Sequence, residues 1–378
     1  MRDGFRRDVE ALAALERRSA SEGERRSAGW LADRLRDAGA QEVGLESFRY
    51  QHTFGHAHAV HFAAGLAAIL LRRRLLAAAA LVSFELEFSG RSQWLRRLLP
   101  AGEGTNVVAR LPAAGEPRRT LVLVAHHDAA HTGLMWHPAL GRAGERLAAR
   151  TGRRESFALP AELALALAGL GRPRRPAGRA VSGALVAAAL GLSLDVADGA
   201  TVPGASDNAT GAAAVLALVE RFTAEPLEDA EVAVLLPGCE ESGMGGMAAW
   251  LRGRRAGLNP ATTLVLGLDT LGSGEPVVLS GEGPTWSVRY RASELALADR
   301  AADRAGLPRP GRYRAGGWTD PALARLAGLP AISLLAVRDG GFANYHLPSD
   351  TPERVDWESV ERCLALADAI CREWAAGG

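Results

Sequence analysis

The sequence has no lysine: all 44 basic residues of the 378-residue chain are arginine. Chemistry through a lysine Schiff base is thereby excluded. Cysteine is scarce as well. Only Cys239, Cys363 and Cys371 occur, an odd number without paired spacing, so three free thiols are expected rather than a disulfide framework. Neither sign of charge dominates: the formal net charge is +1, no stretch interleaves basic and aromatic residues, and nucleic-acid binding is not expected. Residues 1–50 hold no apolar run ahead of a small-residue cleavage site, so the chain is expected to lack a secretory signal peptide and to be cytoplasmic by default.

What is present is an ordinary globular composition, 48% hydrophobic and 23% charged. The length suits one large α/β domain with insertions or two modest domains. Val9, Leu12, Leu15, Trp30, Leu31 and Leu35 recur with helical spacing and predict two amphipathic helices over residues 7–39. Strands are predicted at 106–111 and 121–125, flanking a turn at Gly115-Glu116-Pro117, and again at 231–236, 262–268 and 331–336. Helices are predicted at 209–222, 245–252, 293–305 and 357–374. This alternation predicts an α/β fold, a mainly parallel mixed sheet with helices on both faces. Chemistry in such sheets collects at the carboxyl ends of the strands.

Several polar groups stand at those ends. His126 and Asp128 follow the strand at 121–125, and their one-residue gap on extended chain turns both side chains the same way. That arrangement suits a metal-binding imidazole steadied by a carboxylate. Asp207, in Gly204-Ala205-Ser206-Asp207-Asn208-Ala209-Thr210-Gly211, precedes an alanine-rich helix, where a carboxylate also serves as an ordinary helix cap. Glu240 and Glu241 are adjacent at a strand end, where they repel unless solvent, a proton or a cation compensates. Asp269 follows an apolar strand, and His346 lies in the loop Asn344-Tyr345-His346-Leu347-Pro348-Ser349-Asp350. Singly, Asp269 also reads as a turn residue and His346 as a loop histidine.

Together, and in this order, the motifs H-x-D, G-x-S-D-N-x-x-G, E-E-S-G, L-D-T-x-G and Y-H-x-P-S-D resemble the co-catalytic dizinc aminopeptidases, metallopeptidase family twenty-eight. The resemblance spans most of residues 5–53, 104–133 and 200–376. It implies a zinc-peptidase fold, a peptide substrate and two Zn²⁺. Asp207 would bridge the ions, His126 and Asp269 would complete one site, and Glu241 and His346 the other. Glu240 would be the general base and acid in hydrolysis of N-terminal residues through a bridging hydroxide, and Tyr345 a donor to the oxyanion, with a packing role as its other reading. The chemistry of the residues agrees, since imidazoles with carboxylates suit zinc. Asp207, Glu241 and Asp269 with one hydroxide also balance the four charges of two Zn²⁺. Alternatives are a glutaminyl-cyclase-like acyltransferase, which typically uses one metal, and a non-catalytic relative of the fold.

The chain departs from the family in places. Thr319-Asp320-Pro321 stands where Ser-Asp-His is common, which removes a histidine contact to substrate. His127, His131 and His137 are expected to be non-ligands.

Residues 54–100 and 131–199 are expected to be insertions into a catalytic domain made of residues 1–53, 101–130 and 200–378. Within them, residues 54–88 and 156–194 each read as two apolar stretches around an arginine-rich turn, that is, as helical hairpins. Two readings stand, membrane insertion and a soluble cap or self-association surface. The stretches of about 14–18 residues are short against the roughly 20 of a spanning helix, Glu85, Glu87 and Glu162 interrupt them, and basic turns favour the cytoplasm. The group His52, His56, His58 and His61 reads as a hydrated helix start.

Overall fold

The computed structural model describes residues 2–151 and 155–377. Residues 152–154, inside the second expected insertion, and the two terminal residues of the expected catalytic domain lie outside the described residues. In chain order the elements are α1 (Arg2–Ala13), α2 (Glu22–Asp37), β1 (Gln41–Tyr50), α3 (Gly55–Leu70), α4 (Arg74–Phe88), β2 (Gly102–Leu111) and β3 (Arg119–Val124). Then come α5 (Pro138–Thr151), α6 (Leu159–Gly169), α7 (Pro176–Ala197), α8 (Thr210–Ala224), β4 (Ala230–Leu236), α9 (Gly245–Arg254) and β5 (Thr263–Leu268). The chain closes with β6 (Glu275–Glu282), β7 (Val288–Arg289), α10 (Ala292–Arg304), β8 (Gly311–Ala315), α11 (Asp320–Leu326), β9 (Ala331–Val337) and α12 (Trp357–Ala375).

Local chemistry sets several of these boundaries. Ser21 accepts hydrogen bonds from the amides of Gly23 and Glu24, acids occupy the first turn of α2, and Arg34 and Arg36 its last, as the helix dipole favours. Pro160 and Pro176 stand in the first turns of α6 and α7, where a missing N–H costs nothing.

The sheet runs β1-β2-β4-β3-β5-β9-β6-β7, with β8 on β6. Its centre, β4-β3-β5-β9, is parallel, and antiparallel pairs flank it on both sides. β3 is buried on both faces. Leu121 and Leu123 pack with Leu31, Leu216 and Leu366, while Val122 and Val124 pack with Met247, Trp250 and Leu335. The strands on either side of the turn at Gly115 are not partners, because β4 lies between them and pairs with both. The four parallel strands therefore end side by side.

α3 with α4, and α6 with α7, form helical hairpins. α3, α4, α6 and α7 converge into one four-helix bundle around Phe62, Ile69, Phe84, Leu165, Val186 and Ala189. Its base is fastened to the rest of the chain: Thr285 donates to Glu162, Glu85 accepts the Trp286 amide at 3.3 Å, and Ser83 accepts Trp94 Nε1 at 2.8 Å. The histidines around the start of α3 divide: His52 and His56 are exposed, whereas His58 and His61 are not part of a hydrated helix start. His58 is buried among Phe54, Phe84 and Phe88, and His61 is held by the Ala57 carbonyl and Ser83, because the helix begins inside the bundle rather than at the surface.

Candidate active site

His126 lies two residues past β3 with its Nε2 directed at three carboxylates: Asp207 Oδ1 at 3.3 Å, Asp269 Oδ1 at 3.7 Å and Glu240 Oε2 at 3.9 Å. Its Nδ1 stands 3.2 Å from the Asp128 carbonyl and 3.5 Å from Asp128 Oδ1. Asp128 is fully buried and has a second task. Its two oxygens accept the amides of Glu240 and Glu241 at 3.0 and 3.1 Å, and Ser19 donates to it at 2.6 Å. One carboxylate thus sets both the imidazole and the turn that carries the two glutamates.

Asp207 enters from the loop before α8. Asp350 accepts the amides of Ser206 at 2.9 Å and Asp207 at 3.1 Å, and the peptide bond between Asp207 and Asn208 is cis. Asn208 ties this loop to the end of β5, donating to the Leu268 carbonyl at 2.9 Å and accepting the Gly211 and Thr270 amides. A side chain at Gly211 would meet Asn208 Oδ1 at 2.2 Å, so only glycine permits that knot. Asp269 follows β5 directly and accepts from Thr270 Oγ1 at 2.8 Å.

His346 closes the group from the loop after β9, with Nε2 3.1 Å from Asp207 Oδ2 and 3.2 Å from Glu241 Oε2. Tyr345 stacks on its ring at 3.9 Å between centroids, and Trp136 meets it edge-on at 4.3 Å. Ligand atoms come within reach of one another in three sets: His126 with Asp207 and Asp269; Asp207 with Glu241 and His346; and His126 with Glu240 and Glu241. The first two share Asp207.

The electrostatics are those of a buried acidic cluster. Burial alone would lower the pKa of His126, yet Glu240, Asp128, Asp207 and Asp269 outweigh it and hold the imidazole well above its ordinary value. His346 follows the same logic, raised to about 10 by Glu241 and Asp207 against burial. Burial pushes Glu241 up to about 7 and drives Glu240 well above the usual carboxylate range. Five carboxylates facing two imidazoles leave negative charge that protons alone must neutralise. Cations would do so directly, and Glu241 Oε1 is buried without a hydrogen-bond partner. The mixed imidazole and carboxylate donor set fits zinc.

Other residues that the sequence reading set apart take structural places. His127 is buried between Ser27 Oγ, 2.7 Å from Nδ1, and the Thr105 carbonyl, 2.9 Å from Nε2. His137 accepts the Ala139 amide, and His131 bridges to Thr201. None of the three belongs to a ligand set among the described residues. Pro321 packs on Gly267 of β5, and the preceding Trp318 and Thr319 line the cavity instead. Three supports escaped the sequence reading. Asp350 was visible only as a motif letter, Glu24 accepts the amides of Ala20, Thr105 and Cys239, and buried Arg17 donates to the carbonyls of His127, Pro203 and Gly204. All three act on backbone groups far away in sequence, which no local pattern marks.

The group forms the floor of a cavity of about 750 Å³. Phe54, His58 and Phe88 of the first insertion and Trp136 and Phe157 of the second wall it, opposite Trp318, Phe342 and Tyr345.

The fold is similar to that of an aminopeptidase from Aneurinibacillus sp. strain AM-1, at 13% identity and a TM-score of 0.58, covering 98% of this chain and 93% of that one. A Zn-dependent exopeptidase from Parabacteroides distasonis gives 13% identity and a TM-score of 0.56, with 99% and 97% covered. A glutaminyl cyclase from Bacteroides thetaiotaomicron gives 12% and 0.57, with 98% and 97% covered. No curated protein matches the sequence significantly. Residues 192–370, which carry Asp207, Glu240, Glu241, Asp269 and His346, match the model of Peptidase family M28.

Proposed function

We propose that the protein is a zinc-dependent aminopeptidase that removes N-terminal residues from peptides, using two Zn²⁺ in a catalytic unit formed by residues 1–53, 101–130 and 200–378. The observation that carries this reading is the carboxylate of Asp207, which offers one oxygen to the His126 set and the other to the His346 set. His126 and Asp269 would complete one ion's ligands, and Glu241 and His346 those of the other. Ions held in this way lower the pKa of water and polarise a scissile carbonyl.

The chain's own groups supply the rest. Of the three carboxylates within 4 Å of His126 Nε2, Glu240 is the farthest, and it has no place in the two sets that share Asp207. It is left to take a proton from water and return it to the departing amine. Its burial keeps the carboxyl hungry for that proton. Tyr345, beside His346, donates a hydrogen bond to the developing oxyanion. Burial, with Asp207 and Glu241 adding to it, holds its phenol protonated. Asp128 and Asp350 position His126, the glutamate turn and Asp207.

The test is release of amino acids from a peptide mixture, with chelator and with zinc restored. The expected result is free N-terminal residues whose release stops with chelator and returns with zinc. The fold shared with a glutaminyl cyclase keeps that class in view. Cyclised N-terminal glutamine with one metal per chain would replace the proposal by that reading, and absence of any turnover would favour a non-catalytic relative.

A further inference from the structure

The four-helix bundle is apolar outside as well as inside. On α7 the exposed positions Val181, Ala184, Leu185, Ala188, Gly191 and Leu194 are all apolar. The same holds for Leu75, Leu76 and Val82 on α4 and for Leu163 and Leu167 on α6, with Leu170 directly after it. A helix packed on a water-soluble domain turns a polar face outward, whereas one that is hydrophobic all round lies within a core or a membrane. Only 33% of the apolar stretch of α7 is buried, which rules out the first.

Polar groups are confined to the two ends. At the tip, Arg72, Arg73 and Arg74 join α3 to α4, and Arg172, Arg174 and Arg175 join α6 to α7, all exposed. No acidic residue occurs in 47–84 or 163–194, so the carboxylates of these hairpins stand at the base, away from the arginines. At the base, Glu85, Glu87 and Glu162 are buried. They turn inward to Trp286, Arg96 and Thr285. The acids that interrupt the apolar stretches in sequence therefore do not interrupt the apolar surface. Beside them Trp94 and Trp286 are 47% and 42% exposed, at the level where indole rings favour a membrane–water boundary.

We propose that the bundle is embedded in a phospholipid bilayer, with its arginine tip against lipid phosphates and Trp94 and Trp286 at the opposite boundary. The 22 residues of α7 make a rod of about 33 Å, matched to a hydrocarbon layer of about 30 Å. α3 and α4 have 16 and 15 residues, about 22–24 Å. They meet that thickness by arginines reaching outward along their apolar stems. A second copy of the chain would cover one face of the bundle, whereas the apolar positions lie on several helices and the unpaired arginines match an anionic lipid surface. The active-site cavity, walled by the base of the same hairpins, then opens at the membrane surface.

The experiment expresses the full chain and washes membranes with high salt and then alkaline carbonate. The protein is expected in the pellet, released only by detergent. A variant with Leu75→Gln, Val82→Gln, Leu163→Gln, Leu167→Gln, Val181→Gln and Leu185→Gln is expected in the supernatant. It should hydrolyse a soluble chromogenic peptide at the wild-type rate, since none of these residues touches the catalytic group. Should that variant misfold, a photoactivatable probe confined to lipid acyl chains is expected to label residues 180–194 of the wild type. Wild-type protein that is soluble without detergent, as monomer or dimer, or that escapes the probe in membranes, overturns the proposal.

Discussion

Asp207 divides its carboxylate between two histidines, with Oδ1 3.3 Å from His126 Nε2 and Oδ2 3.1 Å from His346 Nε2. On the proposed reading, a carboxylate placed in this way serves two cations. Asp207→Asn is therefore expected to lose both zinc ions, while Asp269→Asn and Glu241→Gln each lose one. Metal content by mass spectrometry after dialysis distinguishes these outcomes. Unchanged stoichiometry in Asp207→Asn would remove the bridge.

Asp128 is buried and does not line the cavity, but it holds His126 and accepts both glutamate amides. Asp128→Asn replaces one acceptor by a donor facing an N–H. Supports of this kind are worth about 10–100-fold in metal affinity, and a loss in that range is expected in a zinc competition titration. Affinity within error of wild type would leave Asp128 only a packing role.

Tyr345 has both a packing reading and a catalytic one, since it stacks on His346 and also lines the cavity. Tyr345→Phe keeps the stack and removes the hydroxyl. Loss of an oxyanion donor lowers kcat by roughly a hundredfold to a thousandfold, and KM is expected to change little. An unaltered kcat means that the ring matters and the hydroxyl does not.

Glu282 predicts a pH dependence of stability away from the metal group. Burial raises its carboxyl from 4.5 to about 8, although Tyr290 and Thr319 donate to it. The folded state thus binds the proton more tightly than the unfolded chain does. The stabilisation is complete below pH 4.5 and is lost as pH rises through about 8. Glu282→Gln should flatten the fall of Tm over that window. A parallel decline in the variant would assign the pH dependence to other groups.

Much of the fold and of the candidate group was legible in the sequence, for a physical reason. β3 and β5 are buried runs and β4 is buried toward its end, so these three ends are marked by the first polar residues after them, His126, Asp269 and Glu240. The hairpins were legible as apolar stretches around arginine turns. β6, β7 and β8 were not, being short, interrupted by Gly281 or edged by arginines, and held by pairing, β6 with β9 and β7 and β8 with β6, rather than by their own pattern. Neither were Glu24, Arg17 and Asp350, whose partners are backbone amides and carbonyls brought close only by the finished sheet. The convergence of the two hairpins into one bundle above the candidate site also depends on tertiary packing, because each hairpin leaves apolar surface that the other covers.

The most direct test of the account is zinc binding and peptide hydrolysis measured side by side in Glu240→Gln. The proposed roles predict metal content and affinity close to wild type with turnover removed, since Glu240 would move the proton and would not hold the ions. Wild-type turnover in that variant would contradict them.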